Sequence, residues 1–133
     1  MATTNVRYIV DDVGAAVSFY TTHLGFIVET DAMPAFVAVT RDDLRLLLSG
    51  EASSGGRRLP DGRKPVPGDW NRIELVVQDL ATEVDRLRAA GLRFRSDIIT
   101  GPGGAQVVLD DPSGNPIELF QPLRAEARLA PTN

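Results

Sequence analysis

The 133-residue chain contains no cysteine and a single histidine, His23. Without cysteine it forms no disulfide, thiolate zinc site, iron–sulfur cluster or thiol nucleophile. With one histidine it cannot build a site that needs two or three imidazoles. The N-terminus has no signal-peptide pattern, and no apolar run is long enough to span a bilayer. We therefore expect a soluble, cytoplasmic protein with no membrane partner.

Positive charge is also in short supply. Lys and Arg number 14 against 18 Asp and Glu, which gives a net charge of −4. This balance disfavours nucleic acid and anionic membranes as the main partner. The hydrophobic share of 43% and the charged share of 24% are ordinary for a globular protein. The composition therefore predicts one domain, residues 1–133.

The chain contains an internal repeat with an offset of about 67 residues. Each half opens with a short β-rich run that ends in an aspartate, Asp12 or Asp79, which is a favoured helix N-cap. Apolar residues at helical spacing follow, and each helix meets a glycine, Gly25 or Gly91. Three further strands are predicted in each half, at 26–30, 35–40 and 44–48, and at 92–95, 105–109 and 116–121. The pattern predicts two βαβββ modules, 5–49 and 71–122.

Between the modules lies a segment rich in glycine and proline, residues 50–70. Such a composition predicts a long surface loop. Two interpretations remain open: an inert tether, or a lid over a pocket.

The run Asp-Pro-Ser-Gly-Asn-Pro-Ile-Glu-Leu-Phe at 111–120, with Phe19-Tyr20 and Leu24-Gly25-Phe26, resembles the vicinal oxygen chelate superfamily. This superfamily contains glyoxalase I, extradiol dioxygenases, and fosfomycin- and bleomycin-resistance proteins. The resemblance implies an α+β fold in which the two modules form a cupped, incomplete barrel around a cavity, with the helices outside.

The resemblance also implies four positions that hold a metal in many relatives. In this sequence they correspond to Asn5, Leu46, Arg72 and Glu118. Arginine brings a positive charge and leucine has no donor atom, so neither ligates a metal. His23 is expected on the outer face of the first helix. We therefore expect no bound metal and no other cofactor.

Strand alternation predicts which side chains line the cavity. The predicted ligand-binding set is Asn5, Arg7, Leu44, Leu46, Leu48, Trp70, Arg72, Glu74, Glu118 and Phe120. Its two arginines and two glutamates have two compatible interpretations. They pair with one another, for instance Arg7 with Glu74, or they contact a ligand.

The sequence shows no Ser-His-Asp set and no phosphate-binding loop. A carboxylate beside an arginine is expected to keep a low pKa and to be a weak base, so no catalytic residue is assigned. A metal-free member resembles the antibiotic-binding branch, whose members are homodimers that sequester a natural product. The resemblance thus implies a homodimer that binds an aromatic or peptide natural product without turnover. The alternatives are an isomerase-, lyase- or dioxygenase-like enzyme using Glu118 or Glu74, and an unliganded structural or regulatory domain.

Overall fold

The computed structural model describes residues 4–123, which divide into two compact units. The first unit runs to Asp69 and also includes the loop Asp111–Asn115. Within the described residues, the second unit comprises Trp70–Asp110 and 116–123. None of the helices in this described part is long and apolar enough to cross a membrane.

Each unit contains one helix and one four-stranded sheet. The first contains β1 (Asn5–Ile9), α1 (Val13–His23), β2 (Ile27–Ala32), β3 (Phe36–Arg41) and β4 (Leu44–Ser49), with sheet order β1-β4-β3-β2. The second contains β5 (Ile73–Val76), α2 (Leu80–Ala89), β6 (Ile99–Gly101), β7 (Gly104–Asp110) and β8 (Pro116–Pro122), with order β5-β8-β7-β6. In each sheet the first strand runs parallel to the last. The prediction of two βαβββ modules in an α+β fold is confirmed.

The predicted helix ends are also found. Asp12 accepts a hydrogen bond from the backbone N–H of Ala15 at 3.0 Å, and Asp79 accepts one from Thr82 at 3.1 Å. After the helices, Gly25 has φ +73° and Gly91 has φ +83°. These are left-handed conformations that glycine adopts without a steric penalty, so each chain turn after a helix depends on its glycine.

One predicted strand is wrong. Residues 92–95 form no regular strand; Phe94 makes an isolated bridge to Leu109, and the second strand of this sheet is β6 further along. Four residues, 95–98, separate the bridge from β6, and among them the Ser96 hydroxyl donates to the carbonyl of Asp97. This local side-chain bond competes with continued strand pairing.

The faces of the first sheet follow from its register. Tyr8 of β1 lies beside Leu48 of β4, and Val39 of β3 lies opposite Leu46. Leu46, Leu48 and Val39 have an exposed fraction of 0%, and helix α1 packs against β3 and β4. Alternate residues of β4, Arg45, Leu47 and Ser49, therefore lie on the opposite face.

This register corrects a prediction. Leu46 and Leu48 do not line a cavity with Arg7, because they share a face with the core residue Tyr8. Leu44 shares their face by alternation. The sequence of β4 does not show which of its faces is buried, because leucine occupies both faces at positions 46, 47 and 48.

The loop Asp111–Asn115 is closed by a buried carboxylate. Asp111 is 1% exposed. One of its oxygens accepts from the backbone N–H groups of Ser113 and Asn115, at 2.8 and 2.9 Å. The other accepts from the Tyr20 hydroxyl at 2.8 Å and the Asn115 amide at 3.0 Å. Full hydrogen bonding makes this burial of charge tolerable.

Candidate functional site

Two glutamates lie side by side on one face of the second sheet. Glu74 of β5 and Glu118 of β8 are register partners on neighbouring parallel strands, so their side chains point to the same side. Glu118 is 7% exposed, whereas Glu74 is exposed to solvent. A hydrogen bond with the Glu118 carboxyl, together with burial, raises the pKa of Glu74 to about 7. We call Glu74 and Glu118 the carboxyl pair.

Arg72 binds one member of the carboxyl pair. Its Nε and Nη2 atoms lie 3.0 and 2.9 Å from Oε1 of Glu118. Its Nη1 donates to the carbonyl of Trp70 at 3.1 Å. The positive charge of Arg72 lowers the pKa of Glu74, but the neighbouring Glu118 and burial outweigh it. The expectation of a low pKa beside arginine is therefore wrong for Glu74, because the guanidinium is committed to Glu118.

Trp70 lies at the start of the second unit and is 62% exposed. The guanidinium of Arg95 lies over its ring, with 4.5 Å between Cζ and the ring centroid. Arg95 is itself paired with Asp110 through an Nε–Oδ1 contact of 2.6 Å. The sequence reasoning found Trp70 but missed Arg95 and Asp110, because it placed Arg95 at the end of a strand that does not form.

Apolar surface adjoins these polar groups. Phe120 is the register partner of Val76, and alternation places both on the face of the carboxyl pair. Val76 is 42% exposed and Phe120 is half-buried. The second unit therefore contains five of the predicted site residues: Glu74, Glu118 and Phe120 lie on one sheet face, and Trp70 and Arg72 lie in the segment that leads into β5.

In the first unit, Arg7 and Asn5 share the sheet face that carries Leu47 and Ser49. Arg7 Nη1 donates to the Ser49 hydroxyl at 2.9 Å. Ser49 is fully buried and donates in turn to the carbonyl of Leu47 at 3.2 Å. The sequence reasoning missed Ser49, although strand alternation starting from Arg7 was a signal that could have found it.

The predicted metal positions do not form a donor set. In the second unit, Arg72 and Glu118 are bonded to each other. In the first, Leu46 is turned into the core, and the β4 residue beside Arg7 is the apolar Leu47. Over residues 4–123, no group of three or more His, Cys, Asp or Glu side chains is placed to hold a metal ion. The residues present do not fit a divalent cation.

His23 lies in the last turn of α1, where its ring meets Phe19 edge-on with 5.9 Å between centroids. It is on the helix rather than on the sheet face that carries Arg7. The helix position agrees with the expectation from the sequence.

The first part of the inter-module segment is folded back on itself. The Ser53 hydroxyl donates to the Gly50 carbonyl at 2.6 Å and accepts from the Gly56 N–H at 2.9 Å. Further along, Lys64 lies 3.6 Å from Glu51, and a surface cavity of about 160 Å³ opens between this segment and the end of β1. Both interpretations of this segment, an inert tether and a lid over a pocket, stay predictions.

The family model described as Glyoxalase/Bleomycin resistance protein/Dioxygenase superfamily matches residues 3–119. The chain belongs to this superfamily. No curated protein sequence matches the chain significantly.

Solved structures give three informative similarities. A superfamily member from Sphaerobacter thermophilus is 26% identical with a TM-score of 0.74, covering 91% of this chain and 97% of that one. The antibiotic-binding protein TnmS3 from a Streptomyces species is 26% identical with a TM-score of 0.69, covering 92% and 98%. A lactoylglutathione lyase from Agrobacterium tumefaciens is 22% identical with a TM-score of 0.69, covering 90% and 92%, and shows the fold alone.

Proposed function

We propose that this cytoplasmic protein binds a flat, partly aromatic natural product and returns it unchanged, protecting a cell by sequestering a drug. The observation that carries the proposal is the ion pair between Arg72 and Glu118. It occupies two positions where related proteins hold a metal, and it leaves a face with exposed aromatic and aliphatic surface. Such a face favours binding of an apolar molecule over metal-assisted chemistry.

The contributions of the residues follow from their chemistry. Trp70 supplies a stacking surface, and the exposed surface of Val76 and Phe120 supplies apolar burial. Arg72 and Glu74 orient the polar edge of the ligand. Sequestration requires affinity alone, so this set suffices without a nucleophile.

The similarity to an antibiotic-binding protein at 26% identity supports this choice. It favours an antibiotic as the ligand class. It does not extend to the identity of the ligand.

We further propose that the protein is a homodimer. The sheet edge strands carry exposed apolar side chains, with Ile27 of β2 69% exposed and Ile99 of β6 55% exposed. Edge strands with exposed apolar surface invite pairing, and a two-fold contact with a second copy covers them.

One observation favours a second candidate function. Glu74, with a pKa raised to about 7, is suited to accept and donate a proton near neutral pH. A metal-free isomerase or lyase would use Glu74 as general base, with Glu118 as the partner that sets its pKa.

The experiment is a ligand screen that uses Trp70, the single tryptophan of the chain, as reporter. Aromatic and peptide antibiotics are screened by thermal shift, and hits are titrated while Trp70 fluorescence is recorded. The proposal expects saturable quenching and weaker binding of the Phe120→Glu variant, with His23→Ala unchanged as control. A screen without hits, or hits whose affinity Phe120→Glu leaves intact, would count against the proposed site.

A further inference from the structure

The side chain of Arg7 is held in place by contacts within the first unit. Its Nη1 donates at 2.9 Å to a Ser49 hydroxyl that is itself fully buried. The hydroxyl is fixed because it donates onward to the carbonyl of Leu47. A partner fixed in this way holds the guanidinium in one place at a small further entropic cost.

A tight turn supports the guanidinium from a second side. A Cβ added at Gly55 would collide with the guanidinium of Arg7, so the turn approaches Arg7 as closely as only glycine permits. The next residue, Gly56, has no room for a Cβ because the Gly50 carbonyl lies there. Ser53 closes this turn with hydrogen bonds at both ends. Gly55 and Gly56 thus allow the turn to form and to lie close against the Arg7 side chain.

These contacts leave the positive charge of Arg7 uncompensated within its unit. Its hydrogen-bond partner is a neutral hydroxyl, and no carboxylate of the described first unit pairs with it. Two other arginines differ: Arg45 pairs with Glu29, and Arg72 pairs with Glu118. A guanidinium carries five N–H donors, of which Ser49 accepts one.

We infer that Arg7, held by Ser49 and the Gly50–Gly56 turn, binds an acidic oxygen of a small organic anion at the first unit. The chemical class is an aromatic carboxylate or phenolate, whose oxygens fit the guanidinium fork. This site lies in the first unit and is independent of the face of the second sheet that is proposed above to bind a natural product. A charge-assisted bond of this kind separates an acid from its neutral isostere by about ten-fold or more in affinity.

The test compares two probes of the same shape, 2-naphthoate and 2-naphthamide, titrated at pH 8 by calorimetry. The wild-type protein is expected to bind the acid about ten-fold more tightly than the amide, and less so at high salt. Arg7→Gln is expected to lose this preference, and Arg7→Lys to keep part of it. Gly55→Ala is expected to lose it while remaining folded, because the displaced group is the end of a flexible side chain. Gly101→Ala, where an added Cβ meets open space, is the matched control.

Each outcome decides the inference. Equal affinity for acid and amide, or an acid preference that persists in Arg7→Gln, overturns it and leaves the proposed binding function standing. Binding of neither probe, while the screen yields neutral flat ligands, also overturns it alone. If neither the probes nor any compound of the screen binds, the proposed function fails together with the inference.

Discussion

The Tyr20 hydroxyl donates to the buried carboxylate of Asp111 at 2.8 Å, across 91 residues of sequence. Both groups are almost fully buried. Burial and the negative charge of Asp111 raise the pKa of Tyr20 far above its ordinary value. The tyrosine therefore acts as a neutral donor near neutral pH.

Tyr20→Phe is expected to destabilise the protein by about 1–3 kcal/mol, because it leaves a buried carboxylate oxygen with one donor fewer. The measurement is urea unfolding followed by circular dichroism. In a double-mutant cycle with Asp111→Asn, the two changes should be clearly non-additive. Additive effects would show that the bond contributes little.

Stability should fall as the pH rises from 5 to 8. The folded pKa of Glu74 is about 7, above its ordinary value of 4.5. The folded state therefore binds a proton that the unfolded chain has already released, and this stabilisation is lost as pH passes through 7. In the Glu74→Gln variant, the loss of stability between pH 5 and 8 should be smaller. The measurement is the shift of the urea unfolding midpoint between these two pH values.

Glu83→Gln is the control for this change, because it removes a carboxylate from helix α2 instead. It should leave the pH dependence of the wild type intact. An equal slope in wild type and Glu74→Gln would contradict the raised pKa.

Leu46→Ala is expected to cost about 2–5 kcal/mol of stability, the usual range for a fully buried leucine. Leu47→Ala should cost far less, since this neighbour is only half-buried on the other face. Urea unfolding of the two variants tests the register of β4 directly. Similar costs, or a greater cost for Leu47, would contradict it.

The sequence was sufficient for the module order and most element ends. Aspartate caps and glycines after helices are local signals, so Asp12, Asp79, Gly25 and Gly91 marked the helices correctly. Which residues of β4 face the core could not be predicted, because a run of leucines fits either face of a strand. The strand predicted at 92–95 is reduced to a bridge at Phe94, and the hydrophobic pattern did not indicate that regular pairing resumes at Ile99.

For the candidate site, the sequence predicted which residues of the second sheet share a face but not the raised pKa of Glu74. Alternation placed Glu74 and Glu118 on one face. Which of them Arg72 binds depends on side-chain geometry, and that choice determines the pKa of Glu74. The position of the Arg7 side chain depends on the Gly50–Gly56 turn, whose glycines look like ordinary linker residues in the sequence.

The homodimer is tested by sedimentation equilibrium at tens of micromolar protein. A mass of twice the 14.4 kDa chain is expected. Ile27→Lys and Ile99→Lys each place a charge on an exposed sheet edge, and at least one should shift the protein toward monomer. A monomeric wild-type protein would contradict the proposal.

The central claim is binding without turnover, and mass analysis of recovered ligand tests it most directly. A ligand from the screen is incubated in large excess over the protein, then separated from it and analysed. The account predicts a ligand of unchanged mass and structure, with a bound ratio of about one per chain. Conversion of the excess ligand, abolished by Glu74→Gln while binding persists, would contradict sequestration and establish an enzyme that uses the carboxyl pair.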